Sequence, residues 1–206
     1  MNDLYLWPTW VKCKELRGPD IDALNTELVA LALERVDLSA DMNQELRVHD
    51  FHKVNANSVR WLVQHVTEQV QSYVGRRGKV DKVTLRAVVM RHGKHICTHT
   101  ESHESDLMVV YWPSGSSEDI GKPPSSPANQ KFAPTFVLED PSRHLTDLRL
   151  PHEERHSVYI LPRPGLLVIG PAHIPHNLHP YLGVKPFIHI VSQVRICWDG
   201  NYEQRW

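Results

Sequence analysis

The 206-residue chain has only three cysteines (Cys13, Cys97 and Cys197), an odd and scattered set without a C-x-x-C pair. That excludes a disulfide framework and a zinc ribbon and fits reduced cytosolic thiols. Long hydrophobic runs are missing too. Runs such as Leu107 to Trp112 and Gly165 to Ile169 fall far short of the roughly 20 residues that span a bilayer, so no membrane partner is expected. The start, Met-Asn-Asp-Leu-Tyr-Leu-Trp-Pro, has no basic region followed by an apolar one, so no secretory signal is read and a cytoplasmic location is expected. Excess charge of either sign is absent, with 23 Lys plus Arg against 24 Asp plus Glu, which removes the usual argument for a nucleic-acid partner. There is no nucleophile elbow, phosphate loop or dinucleotide fingerprint.

What the chain does have is histidine. Nine of its fourteen lie between His92 and His176, and His179 and His189 follow closely. Around them the hydrophobic pattern changes character. Residues 20–32 carry Ile21, Leu24, Leu28, Leu31 and Ala32 at helical spacing behind Pro19 and Asp20, a suitable helix start. A second stripe (Val59, Leu62, Val63, Val66, Val70, Tyr73) predicts a helix over 57–73 with Gly75 as its C-terminal cap. From about Lys79 the period becomes two, predicting strands at 80–89, 107–112, 135–138, 158–161, 166–169 and 187–194. The first eighteen residues read as an extended segment lying on the sheet. Two helices followed by six short strands give an α+β fold, mainly β, in one domain over 1–206. Residues 1–78 form the N-terminal segment and helices; 79–206 form an antiparallel sandwich or barrel, with a long polar loop over 113–134 expected to act as a flap.

His99-Thr100-Glu101 places an imidazole and a carboxylate two residues apart, on one side of an extended chain. Such a pair, joined by one distant histidine, makes the two-His-one-carboxylate triad that holds iron(II) and leaves positions open. With fourteen histidines the tripeptide alone is weak evidence, and a solvated His/Glu loop is the plainer reading of it. The distant candidate is His176. His173, His176 and His179 share a three-residue spacing, but Pro171, Pro175 and Pro180 forbid a helix there, so one of the three is expected to face inward.

Taken together, these blocks resemble the compact iron(II)/2-oxoglutarate-dependent oxygenases of about 200 residues, which have a double-stranded β-helix (jelly-roll, cupin-like) fold. The resemblance rests on Trp7-Pro-Thr9, Gly93 ahead of His99-x-Glu101, Val109-Val-Tyr111 and Asp140-Pro141. It continues through Tyr159, Pro162, Gly165, Leu167, Pro171, His176 and Pro180. It implies a jelly-roll core with two N-terminal helices packed on it, metal ligands His99, Glu101 and His176, and 2-oxoglutarate and dioxygen as cosubstrates. The activity implied is hydroxylation or related oxidation of a small molecule such as an amino acid or natural-product intermediate. The family's arginine for the far carboxylate of 2-oxoglutarate falls on Phe187. Lys185, two residues earlier and so expected on the same strand face, is one substitute, and Arg86 and Arg195 on neighbouring strands are others. His103, His92, Tyr111 and His189 are candidates for supporting or substrate contacts. Two further readings stay open: a cupin-like iron enzyme (oxygenase, isomerase or lyase) working without 2-oxoglutarate, and a non-catalytic jelly-roll binding module. Trp198 and Trp206 leave a homodimer contact open as well.

Overall fold

The structure is a computed structural model. It describes residues 2–6, 9–40, 46–103, 105–114, 134–141 and 157–199, with backbone only for 2–6 and 9. Most of the expected flap (115–133), most of the histidine-rich stretch after Asp140, and Trp206 lie outside the described residues.

The N-terminal extended segment forms a hairpin, β1 (Asn2–Leu6) with β2 (Thr9–Glu15), and β2 adds to the main sheet along β9 (Leu166–Pro171). Helix α1 spans Pro19–Leu33, with proline in its first turn and Asp20 and Asp22 at the positive end of its dipole. Helix α2 spans Asn57–Val74 and stops at Gly75, whose φ of 63° a side-chain-bearing residue would adopt only under strain. A short strand that the sequence pattern does not predict, β3 (Leu46–Val48), lies between them.

The remaining strands are β4 (Gly78–Met90), β5 (Ile96–His99), β6 (Leu107–Trp112), β7 (Phe136–Glu139), β8 (Ser157–Ile160), β10 (His176–Leu178) and β11 (Phe187–Trp198). They build two facing sheets. The larger runs β1-β2-β9-β6-β11-β4-β3 and the smaller runs β5-β10-β7-β8, and every described pairing is antiparallel. This is the double-stranded β-helix arrangement.

Alternation along the strands of the large sheet sorts the core into two compartments. On the outer face Leu85, Ala87, Val89, Val109, Tyr111, Ile188 and Ile190 pack against Leu28 of α1 and Val59, Leu62, Val66 and Val70 of α2. On the inner face Val88, Met90, Met108, Val110, Trp112 and Phe187 meet Phe136, Leu138 and Leu178 of the small sheet. The helices therefore seal one side of the large sheet, and the other side is free to line a site. No helix among the described residues is long and apolar enough to cross a membrane.

Candidate metal centre

The small sheet brings two histidines face to face. Strands β5 and β10 pair antiparallel with His99 opposite His176, and the two rings sit 4.3 Å apart between centroids. Glu101 lies two residues beyond the end of β5, so strand alternation is not what turns it inward. Its backbone N–H donates to the Ala172 carbonyl at 2.9 Å, and its own carbonyl accepts from the Ser105 hydroxyl at 3.1 Å. The first bond ties it to the segment that leads into β10, and the second closes the turn that follows it. One ligand atom from each of His99, Glu101 and His176 lies within 4.8 Å of the others.

Both imidazoles are held the same way round. His99 Nδ1 is 2.9 Å from the Cys97 carbonyl, and His176 Nδ1 is 2.9 Å from the Ile174 carbonyl. A carbonyl can only accept, so each Nδ1 carries a proton; His176 Nε2 then presents a lone pair, and His99 Nε2, which faces the Glu101 carboxylate, presents one once its own proton is given up. Burial holds His176 neutral, pushing its pKa down to about 4. Burial would raise Glu101, but the His99 hydrogen bond, the Arg86 charge and the Gln193 amide outweigh it and hold the carboxyl at about 2. The His99 pKa is raised, chiefly by its hydrogen bond to Glu101, at 3.5 Å between Nε2 and Oε1. With the proton between His99 and Glu101 displaced by a cation, two imidazole nitrogens and one ionised carboxylate make a donor set suited to a divalent transition metal, and the residues present fit iron(II).

A second layer fixes the carboxylate. Arg86 of β4 donates to Glu101 Oε1 at 2.8 Å, and Gln193 of β11 donates to Oε2 at 2.7 Å. Gln193 is not recognisable in the sequence, because an amide on a long strand carries no pattern of its own. Arg47 of β3 and His103 join Arg86, Gln193, His99 and Glu101 around a hollow of about 250 Å³ beside the triad. Arg47 escaped the sequence reading because a three-residue strand has too few residues to show a period.

Deeper between the sheets the space closes. His99 and His176 are followed by Val88, Trp112, Phe136 and His189 around a cavity of only about 20 Å³, room for one water molecule. Phe187 fills the inner end, 2% exposed, with its ring 5.4 Å from that of Tyr181. His189 is 4% exposed, and burial together with the charges of Arg86 and Arg47 pushes its pKa down to about 3. Its Nδ1 has no hydrogen-bond partner, and neither do Arg86 Nε or Trp112 Nε1 nearby.

The other sequence candidates fall elsewhere. Lys185 is exposed in the bend before β11, which starts only at Phe187, so the expectation that the two share a strand face is corrected. Pro186 cannot donate to a ladder and delays the strand, while the Lys185 carbonyl accepts from the Tyr181 hydroxyl. Tyr111 is also corrected: it is fully buried on the helix side of the sheet, where its hydroxyl donates to Asn25 at 2.6 Å, and Trp112 is the residue that faces the site. His92 is exposed in the turn between β4 and β5, and Arg195 lies farther out on β11 along a second groove that shares Arg86 and Gln193 with the hollow. His173 is exposed while His176 is buried, so one of those two faces inward.

No family model matches the chain, and no curated protein matches it in sequence. Solved structures do match it in shape. AviO1 from Streptomyces viridochromogenes Tue57 superposes with a TM-score of 0.62 at 15% identity, over 92% of this chain and 90% of that one. The non-heme alpha-ketoglutarate-dependent epimerase SnoN from nogalamycin biosynthesis gives 0.63 at 10% identity, over 89% and 76%. A Pseudomonas putida prolyl-4-hydroxylase gives 0.58 at 11%, over 90% and 91%. This chain has the fold of the 2-oxoglutarate-dependent oxygenases. At such identities the likeness establishes the fold, and the chemistry rests on the residues described above.

Proposed function

We propose that the protein is a non-haem iron(II) oxygenase that uses 2-oxoglutarate to oxidise a small molecule. The observation that carries this reading is the triad: two imidazole Nε2 atoms and a carboxylate converging inside a double-stranded β-helix, each side chain oriented by its own hydrogen bond. His99, Glu101 and His176 would hold the iron. With iron(II) held there, dioxygen would be the oxidant and 2-oxoglutarate the co-reductant, one oxygen atom ending in succinate as the keto acid loses carbon dioxide and the other being left to oxidise the substrate. SnoN has been crystallised with Fe3+, alpha-ketoglutarate and nogalamycin RO, so the shared fold accommodates that combination in one relative.

The chain's own residues then divide the remaining work. Gln193 and Arg86 hold Glu101 ionised and aligned. The far carboxylate of 2-oxoglutarate needs a cation, and the position usual for it carries buried Phe187 instead. Arg86 and Arg47 stand on neighbouring strands at the 250 Å³ hollow, which is ample for a five-carbon diacid. We assign the cation role to them and not to Lys185. Arg86 keeps donors to spare, since only one guanidinium nitrogen is engaged by Glu101. Trp112, Phe136 and Phe187 close the inner end against water, which strengthens every charge interaction in the hollow.

Anaerobic titration tests the proposal. Iron(II) should bind at one equivalent, and 2-oxoglutarate added afterwards should produce a weak visible absorption band that Arg47→Leu and Arg86→Leu each shift to higher keto-acid concentration. Iron binding with no response to 2-oxoglutarate would favour an iron enzyme working without it. Less than a tenth of an equivalent of iron would leave a binding module.

A further inference from the structure

The inner face of the large sheet carries one polar pair in an otherwise apolar row. His189 of β11 pairs with Val88 of β4, and because Ile190 pairs with Tyr111, the same ladder sets His189 beside Trp112 of β6. Trp112 in turn pairs with Leu166 of β9. Valine and leucine therefore flank two nitrogen-bearing rings. Both rings border the enclosed cavity of about 20 Å³, to which the small sheet contributes His99 and His176.

The nitrogens of this pair are unsatisfied. Trp112 is fully buried and His189 is 4% exposed. Trp112 Nε1 and His189 Nδ1 meet no hydrogen-bond partner, and neither does Arg86 Nε, on a side chain that borders the same cavity. Buried polar groups are nearly always paired, so three exceptions around one cavity mark a place where a ligand atom belongs. Indole and guanidinium nitrogens donate and cannot accept. Burial keeps His189 neutral, and a neutral imidazole adds a third donor when its proton sits on Nδ1. The missing partner is thus an acceptor.

Its size and charge follow from the surroundings. The cavity has the volume of a single oxygen atom with its hydrogens, so only the tip of a ligand enters. The body of that ligand lies toward the hollow, since Arg86 and His99 border both spaces. Arg86 already meets Glu101 at 2.8 Å, which leaves no net positive charge here for a free anion. An acid belongs in this place only when a metal ion at the triad offsets its charge.

We infer that Trp112 and His189 are positioning residues that grip one oxygen of the acid bound at the metal centre. For the proposed reaction that acid is 2-oxoglutarate, held at its keto end by this pair and at its far carboxylate by Arg47 and Arg86. The identity of the acid rests on the oxygenase proposal, whereas the oxygen pocket does not. Two neutral donors fix the orientation of the acid without adding charge beside the metal. Unpaired nitrogens weaken the ligand-free fold, and binding restores their hydrogen bonds, a trade of stability for recognition.

Nuclear magnetic resonance on nitrogen-labelled protein tests the pocket, with diamagnetic zinc(II) in the triad. The Trp112 indole N–H resonance, assigned by its loss in Trp112→Phe, should move downfield when 2-oxoglutarate or oxalate is added. Neither acid should move it in protein freed of metal by chelator. In anaerobic iron(II) protein, His189→Leu and Trp112→Phe should each weaken 2-oxoglutarate at least tenfold by the visible band, with iron affinity unchanged. His189→Asn, which keeps an N–H near the Nδ1 position, should recover most of that loss. His189→Leu is expected to be the more stable protein, so its weaker binding would not reflect unfolding. An indole resonance that ignores both acids, as it would if the N–H only faced the Phe136 ring 5.4 Å away, would overturn the proposal. Unchanged 2-oxoglutarate affinity in His189→Leu would overturn it as well. A wild-type iron(II) protein with no band on adding 2-oxoglutarate would remove the oxygenase reading, and the response of the indole resonance to oxalate would then decide the oxygen pocket alone.

Discussion

Replacing His189 by leucine should make the metal-free protein more resistant to mild acid. His189 is buried between the sheets, its Nδ1 has no hydrogen-bond partner, and its neighbours Arg86, Arg47, His176 and His99 oppose a positive charge on it. Its folded pKa is depressed from 6.5 to about 3. The sign follows from linkage. The unfolded chain takes up the proton first, so the stability tied to neutral His189 is fully present above pH 6.5 and is lost as pH falls toward 3. At pH 5 the unfolded imidazole is almost wholly protonated and the folded one is not. At about 1.4 kcal/mol per pH unit, the loss between pH 7 and pH 5 is roughly 2 kcal/mol from this residue. Leucine of similar bulk removes that loss and also the unpaired nitrogen, a further gain of about 1–3 kcal/mol at any pH. Urea denaturation at pH 7 and pH 5, with chelator present, measures both quantities. His176 titrates in the same window and contributes to both proteins alike. An identical drop in unfolding free energy between pH 7 and pH 5 in wild type and His189→Leu would refute the reasoning.

His176→Ala should abolish iron(II) binding in equilibrium dialysis, while His173→Ala, at an exposed position, should leave it unchanged. Gln193→Leu should weaken iron binding about 10- to 100-fold, because the 2.7 Å bond that orients Glu101 is lost. Gly165 has φ of 81°, and a Cβ there would come within 2.2 Å of the Leu16 carbonyl oxygen, whose own N–H is bonded to the Gly165 carbonyl. Gly165→Ala should therefore cost about 3 kcal/mol or more and lower the thermal midpoint by roughly 6–10 °C in calorimetry.

Elements with many residues and one buried face were the legible ones. The apolar stripe of α2 predicts a helix within a residue of its observed end, and the β-branched runs of β4, β6, β9 and β11 predict strands that the two-sheet fold contains. Short elements were not legible. Strands β3 and β10 have three residues each and gain their identity only from the neighbours they pair with. The inner and outer faces of β6 could not be told apart for a related reason. All six of its residues are buried, so burial carries no alternation, and the choice between Tyr111 and Trp112 was decided by which sheet or helix each meets.

The site divides along the same line. His99, Glu101 and His176 were readable because metal chemistry restricts both residue type and spacing, and the cross-strand register brings the two histidines opposite each other. The cation for a dicarboxylate carries no such restriction. Any strand bordering the hollow can supply it, so its position is a property of packing and not of local sequence. Phe187 shows why it must lie elsewhere in this chain. The ring is buried against Tyr181, and an arginine there would strand a charge in the apolar cluster of the inner face. In the proposed reading the guanidinium comes instead from Arg47 and Arg86 at the hollow beside Glu101, which accepts from Arg86 at 2.8 Å. A closed inner end and a cationic rim beside Glu101 are then one consequence of where this sheet places its arginines.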